Sequence, residues 1–174
     1  MEQNFESRPP LSRFAFRDRS RPASQAPVFD VIEAQHRLIH RLFDAIAWYA
    51  EGDDEHLDLF DQARRELLAH FRAEEEVPYA FLASGEGEIV AHSLEDHRDL
   101  EAAVERLAGT PIGEDWESQF DALRAGLHKH TKAERDGLFL RAKASIPVPV
   151  QAALGRTFEE AHDRHLRSLG ALTS

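Results

Sequence analysis

The 174-residue sequence predicts an all-α fold: an up-down-up-down four-helix bundle, a short fifth helix after it and a flexible arm before it. Three observations lead there. From Phe29 onward, apolar residues recur at steps of three and four, the period of one helix face. The breaks between these stretches are short and rich in Gly, Pro, Ser and Asp. No segment alternates with the two-residue period of a strand. Long helices joined by short loops pack as antiparallel neighbours.

The elements follow in order. Residues 1–27 hold five Arg against three acidic residues, with four Pro and several Ser. Their local charge of +2 leaves −13 for the remainder of a chain whose formal charge is −11. This composition predicts a flexible basic arm that Phe5, Phe14 and Phe16 could pin to the body. Helix α1 is expected at 28–51, α2 at 55–83, α3 at 87–108 and α4 at 114–143, so that the bundle domain spans 28–144. Residues 145–174 hold α5, at 149–171, packed on the bundle exterior through Leu154, Phe158, Ala161, Leu166 and Leu169. The breaks are Glu51–Asp54, Ser84–Gly87, Gly109–Gly113 and Ile146–Pro149. The last of these ends in a proline suited to a first helical turn. Pro78 lies inside α2, where its ring would crowd the Glu74 carbonyl. It marks a helix nearing its end, with a kink that bears on Glu74.

Composition excludes several functions. An acidic chain lacks the basic face of a general nucleic-acid binder. With no Cys there is no disulfide scaffold, thiolate metal site or thiol nucleophile. No apolar run reaches the length of about 18 residues that a membrane span needs. The opening MEQNFESRPP lacks the build of a secretory signal, so the expected compartment is the cytoplasm. What composition leaves unexplained is ten His.

Four of them fall on the core stripes. On α1 the stripe runs Phe29, Ile32, His36, Ile39, Phe43, Ile46, Ala50. On α2 it runs Phe60, Ala63, Leu67, His70, Glu74, Val77, Phe81. On α3 it is Val90, Ser93, His97, Leu100, Val104, Leu107, and on α4 Trp116, Phe120, Leu123, Leu127, His130, Glu134, Leu138. The interruptions share a height. His36 and His70 each lie 17 residues from the centre of the α1–α2 break, about 25 Å along the axis. Glu74 and His97 are likewise equidistant from the α2–α3 turn. The set is also repeated: His36 to His70 spans 34 residues, His97 to His130 spans 33, and each second histidine opens an HxxxE. Residues four apart share a helix face, so each HxxxE aims both groups at one point.

A carboxylate buried without a partner costs several kcal/mol. A dinuclear cation cluster bridged by Glu74 and Glu134 removes that cost. Imidazole and carboxylate together suit iron, manganese or zinc. His36, His70, Glu74, His97, His130 and Glu134 are therefore the candidate metal ligands. His40 is assigned to the stripe edge, and His56, His92 and His128 to the surface. His162 and His165 lie on α5, as remote candidates for a fifth ligand.

The pattern His36, His70-x-x-x-Glu74, His97, His130-x-x-x-Glu134, with HFRAEEEVPYAFL at 70–82, resembles the hemerythrin-like HHE cation-binding domain over about 28–143. The resemblance implies a four-helix bundle around a non-haem diiron centre, with manganese or zinc as lesser alternatives to two iron ions. It also implies a small-molecule partner: members bind or sense oxygen, iron or nitric oxide, or act on peroxide. Oxygen carriers have a further histidine four residues before the third-helix ligand, and an aspartate five after the last histidine. Here those positions are Ser93 and Arg135, which points away from reversible oxygen carriage. Four His nitrogens, four carboxylate oxygens and a solvent bridge fill ten of about twelve positions on two octahedral ions. The open positions admit exogenous ligands. A binding or sensing module is the expected function. The alternatives are a catalase- or peroxidase-like diiron enzyme, iron sensing, and a metal-free structural bundle.

Overall fold

The computed structural model describes residues 25–47 and 54–171. Among them there are helices and connecting turns and no strand. α1 is Val28–Ile46. α2 runs Asp54–Glu74, continues through a π-helical segment Glu75–Tyr79 and ends with Ala80–Leu82. α3 is Gly87–Ala108. α4 is built in the same way as α2, from Glu114–Ala133 through a π-helical segment Glu134–Phe139 to Leu140–Ser145. α5 is Val148–Ala171. The expected arm lies outside the described residues apart from 25–27. α1 stops at Ile46, short of the expected 51, and residues 48–51 lie outside as well.

The start of α4 shows why its boundary was legible. Gly113 has φ 153° and ψ −169°, a conformation open to glycine. Glu114, Asp115 and Glu117 follow in the first turn, where the helix dipole favours negative charge. At the start of α5, the Val150 and Gln151 amides donate to the Pro147 carbonyl, and Pro149 sits in the first turn, where no amide is needed.

α1, α2, α3 and α4 enclose the core, and α5 lies along α1 and α2. It packs closely enough that a Cβ at Gly155 would stand 2.5 Å from the Ala26 carbonyl oxygen. Exposed pairs such as Arg64–Glu105 and Arg124–Asp44 join α2 to α3 and α4 to α1, but such pairs contribute roughly 0–1 kcal/mol each. Apolar burial decides the packing, and it falls into two clusters. One contains Ile39, Phe43, Leu67, Phe71, Leu100, Leu127 and their neighbours. The other contains Phe29, Ile32, Ala73, Val77, Val90, Leu138 and theirs. Between them lies one buried polar layer: His36, His70, Glu74, His97, His130 and Glu134.

Over the described residues, which leave out Ala50, the stripes hold with one correction. The stripe on α2 was expected to end on Phe81, yet Phe81 is 47% exposed while Tyr79 and Leu82 are buried. The π-helical segment is the reason. It fits an extra residue into the turn, so everything after it rotates by about 100°. The wider turn also accommodates Pro78, whose ring would crowd the carbonyl four residues back in a regular α-helix.

Candidate metal centre

Each HxxxE motif runs straight into a π-helical segment, beginning at Glu75 in α2 and at Glu134 itself in α4. Such segments concentrate at functional sites, because they re-aim side chains without ending the helix. All six predicted side chains converge. Ligand atoms of His36, His70 and Glu74 lie within 4.8 Å of one another, as do those of Glu74, His97, His130 and Glu134. Glu74 belongs to both groups. Its Oε1 is 3.4 Å from His70 Nε2 and 3.6 Å from His36 Nε2, and its Oε2 is 3.3 Å from His97 Nε2. Glu134 Oε2 is 3.3 Å from both His36 Nε2 and His130 Nε2. His97 and His130 bring their Nε2 atoms within 3.1 Å.

Two donors at about 2.1 Å from one ion, set at a right angle, are about 3 Å apart. The separations in this layer are of that kind. Hydrogen bonding agrees: His36 Nε2, His70 Nε2, both Glu74 oxygens and Glu134 Oε2 are buried with no hydrogen-bond partner. A buried polar atom left unpaired costs about 1–3 kcal/mol, more when charged. Five such atoms facing one another form a donor set that fits a cation.

Charge in the layer is divided. Burial pushes both carboxyls up. At Glu74 the facing His70, His36 and His97 outweigh it and hold the acid well below its ordinary value. Glu134, buried beside Glu74, is pushed well above. Burial holds the His70 imidazole well below its usual range and brings His130 down to about 4, with His97 adding to the second effect. Neutral imidazoles keep the lone pair that a metal needs. Burial also lowers His97, but the facing carboxylates of Glu74 and Glu75 prevail and push it up.

The outward ring nitrogens are tied back. His70 Nδ1 donates to Gln35 Oε1 at 2.8 Å, and His97 Nδ1 donates to Glu75 Oε1 at 3.0 Å. His130 Nδ1 faces Asp96 Oδ2 at 3.5 Å. Holding the outer N–H fixes the tautomer and leaves Nε2 bare toward the centre. The Tyr79 hydroxyl reaches in from the α2 π-helical segment. It donates to Glu134 Oε1 and lies 3.3 Å from His97 Nε2. Phe71 stacks on His97, Phe139 on His36, and Phe158 meets His70 edge-on, so the walls of the layer are aromatic.

Sequence reasoning missed Gln35, Glu75, Asp96 and Tyr79. Gln35 is adjacent to His36, and Glu75 to Glu74, so nothing in a stripe marks them. Tyr79 is turned inward only by the π-helical segment. Among the other histidines, His56 was assigned to the surface but is buried edge-on against Trp116, 4.9 Å between ring centres. The aromatic end of the core extends to the first turns of α2. His40 is half-buried, stacked on exposed His128 and bonded to Thr131 Oγ1. His92 is exposed beside Glu95 and Asp96. His162 pairs with Glu66 and His165 with Glu76, and neither belongs to the converging groups.

Comparison with known proteins agrees with this arrangement. The model of the hemerythrin HHE cation-binding domain family matches residues 28–142. The crystal structure of a hemerythrin HHE cation-binding domain-containing protein from Mycobacterium kansasii is similar in fold, with a TM-score of 0.68 and 22% sequence identity. The alignment covers 82% of this chain and 89% of that one. No curated protein sequence matches significantly. None of the helices over the described residues is long and apolar enough to cross a membrane. With a bundle of this topology, two HxxxE motifs in one buried layer and the family model spanning all four bundle helices, the chain belongs to the hemerythrin HHE cation-binding domain family.

Proposed function

We propose that His36, His70, Glu74, His97, His130 and Glu134 bind two cations, iron ions at work, and that the centre takes up a small oxidant or diatomic ligand: oxygen, nitric oxide or peroxide. The observation that carries this reading is the set of five buried, unpaired donor atoms facing one another from two hairpins. An imidazole and carboxylate set without thiolate suits iron, manganese or zinc. Bound iron supplies redox chemistry and exchangeable coordination positions. The chain's own residues do the rest. Gln35, Glu75 and Asp96 orient the imidazoles, Glu74 and Glu134 offset the cationic charge, and Phe71, Phe139 and Phe158 keep the surroundings apolar. Aromatic walls around a polar centre favour a ligand of two or three heavy atoms over a larger substrate.

The test is anaerobic reconstitution with iron(II), followed by metal analysis and then by exposure to nitric oxide, oxygen and peroxide in turn. Two irons per chain and a spectral change with one of these ligands support the proposal. Well under one iron per chain would sink it. Oxygen release from peroxide above that of free iron would mean turnover rather than binding or sensing.

A further inference from the structure

The donor atoms are not equally ready for a cation. The α1–α2 hairpin supplies four of the five inward atoms that lack a hydrogen bond: His36 Nε2, His70 Nε2 and both oxygens of Glu74. The α3–α4 hairpin supplies one, Glu134 Oε2. The other inward side of this hairpin is met by Tyr79, whose hydroxyl donates to Glu134 Oε1 and lies 3.3 Å from His97 Nε2, itself 3.1 Å from His130 Nε2. The two hairpins repeat each other in motif and in π-helical segment, but the Tyr79 hydroxyl has no counterpart, since Phe139 stands five residues after Glu134 where Tyr79 stands five after Glu74. It comes from α2 and crosses to the carboxylate of α4.

We propose that the two half-sites fill in order, and that Tyr79 sets the order. This rests on the two-cation reading above. The first ion enters the His36–His70–Glu74 half, where it meets bare donors and displaces no internal hydrogen bond. The second enters the His97–His130–Glu134 half, where it must compete with the Tyr79 hydroxyl for Glu134. Breaking a buried hydrogen bond on binding weakens the second step by about ten-fold. Tyr79 is thus a positioning residue that makes a singly loaded state stable over a range of metal concentration.

The experiment is titration of the full-length apo protein with cobalt(II) under nitrogen, followed by calorimetry and by the visible spectrum. Two steps of one ion each are expected, with dissociation constants at least about ten-fold apart. His70→Ala should remove the tighter step and His130→Ala the weaker one. Tyr79→Phe should tighten the weaker step several-fold and leave the first within about two-fold, a selective change that a general loss of packing does not produce. Circular dichroism checks that each variant is helical, and the two-step isotherm of the parent protein tests sequential filling without any variant. A single step taking up both ions overturns the inference and leaves the two-cation reading standing. So does a Tyr79→Phe variant whose second step is unchanged or weaker. Absence of any bound cobalt overturns both.

Discussion

At the scale of single residues, burial and hydrogen bonding separate the proposed ligands from the other histidines and acids. Glu74 is fully buried, held ionised by facing imidazoles, and has no hydrogen bond on either oxygen. Glu74→Ala or His70→Ala should strip the metal and leave helicity largely intact. Equal iron content in variant and parent, measured side by side, would refute the ligand assignment. Gln35 is not among the converging donors, yet it holds His70 by Nδ1. Gln35→Ala should weaken metal affinity by about 10–100-fold, the usual effect of losing such an anchor. Unchanged affinity by competition with a chelator would count against the tautomer argument. His92 and His128 are exposed, and replacing either with Ala should leave metal content unchanged.

At the scale of elements, α5 is held to the bundle by a close approach and by a buried ion pair. Gly155→Ala would drive a methyl group into the Ala26 carbonyl. The expected loss of stability is about 1–3 kcal/mol, as for other overpacked contacts. A urea midpoint equal to that of the parent would mean that α5 shifts freely. His162 and Glu66 are both buried, 3.2 Å apart, between α5 and α2. Burial lowers the His162 pKa, but hydrogen bonds to Asp163 and Glu66 overcome it and raise the group above 6.5. A raised folded-state value means the pair's contribution is present in full below the unfolded value and fades as pH rises through the folded one. His162→Gln should therefore cost more stability at about pH 6 than at about pH 9. His40 runs the other way. Burial, then His128 and His36, bring it down to about 4, so its contribution is present above 6.5 and is lost as the pH falls toward 4.

At the scale of the whole molecule, the fold places a costly polar layer between two apolar clusters and leaves a cation to offset it. Ligands that bind only the folded state stabilise it by mass action, about 2.7 kcal/mol at a hundred times the dissociation constant. For a bundle of this size that corresponds to several degrees in Tm. Metal-loaded protein should thus melt well above the chelated form by calorimetry. Coincident melting curves would show that the polar layer is satisfied without metal.

Much of this was legible in the chain. Steps of three and four placed Phe29, His36, Val90, His97, Trp116 and His130 on core faces, because helical period and burial are local consequences of sequence. Repetition of HxxxE at matched heights brought six donors to one layer for the same reason. Local reasoning failed where the helix changes its own period. The π-helical segment turned Phe81 out and Tyr79 in, and no propensity at Glu75–Tyr79 announces that phase shift. It also could not reach side chains whose role depends on a neighbour from elsewhere: Gln35 against His70, Asp96 against His130, His56 against Trp116. The sequence by itself determined the helices, their buried faces and the chemistry of the donors, since each depends on residues a few positions apart. Only the tertiary structure decided which donors are bare and which are tied up. That depends on hydrogen bonds such as Tyr79 to Glu134, across 55 residues of chain, which form only once the helices have packed.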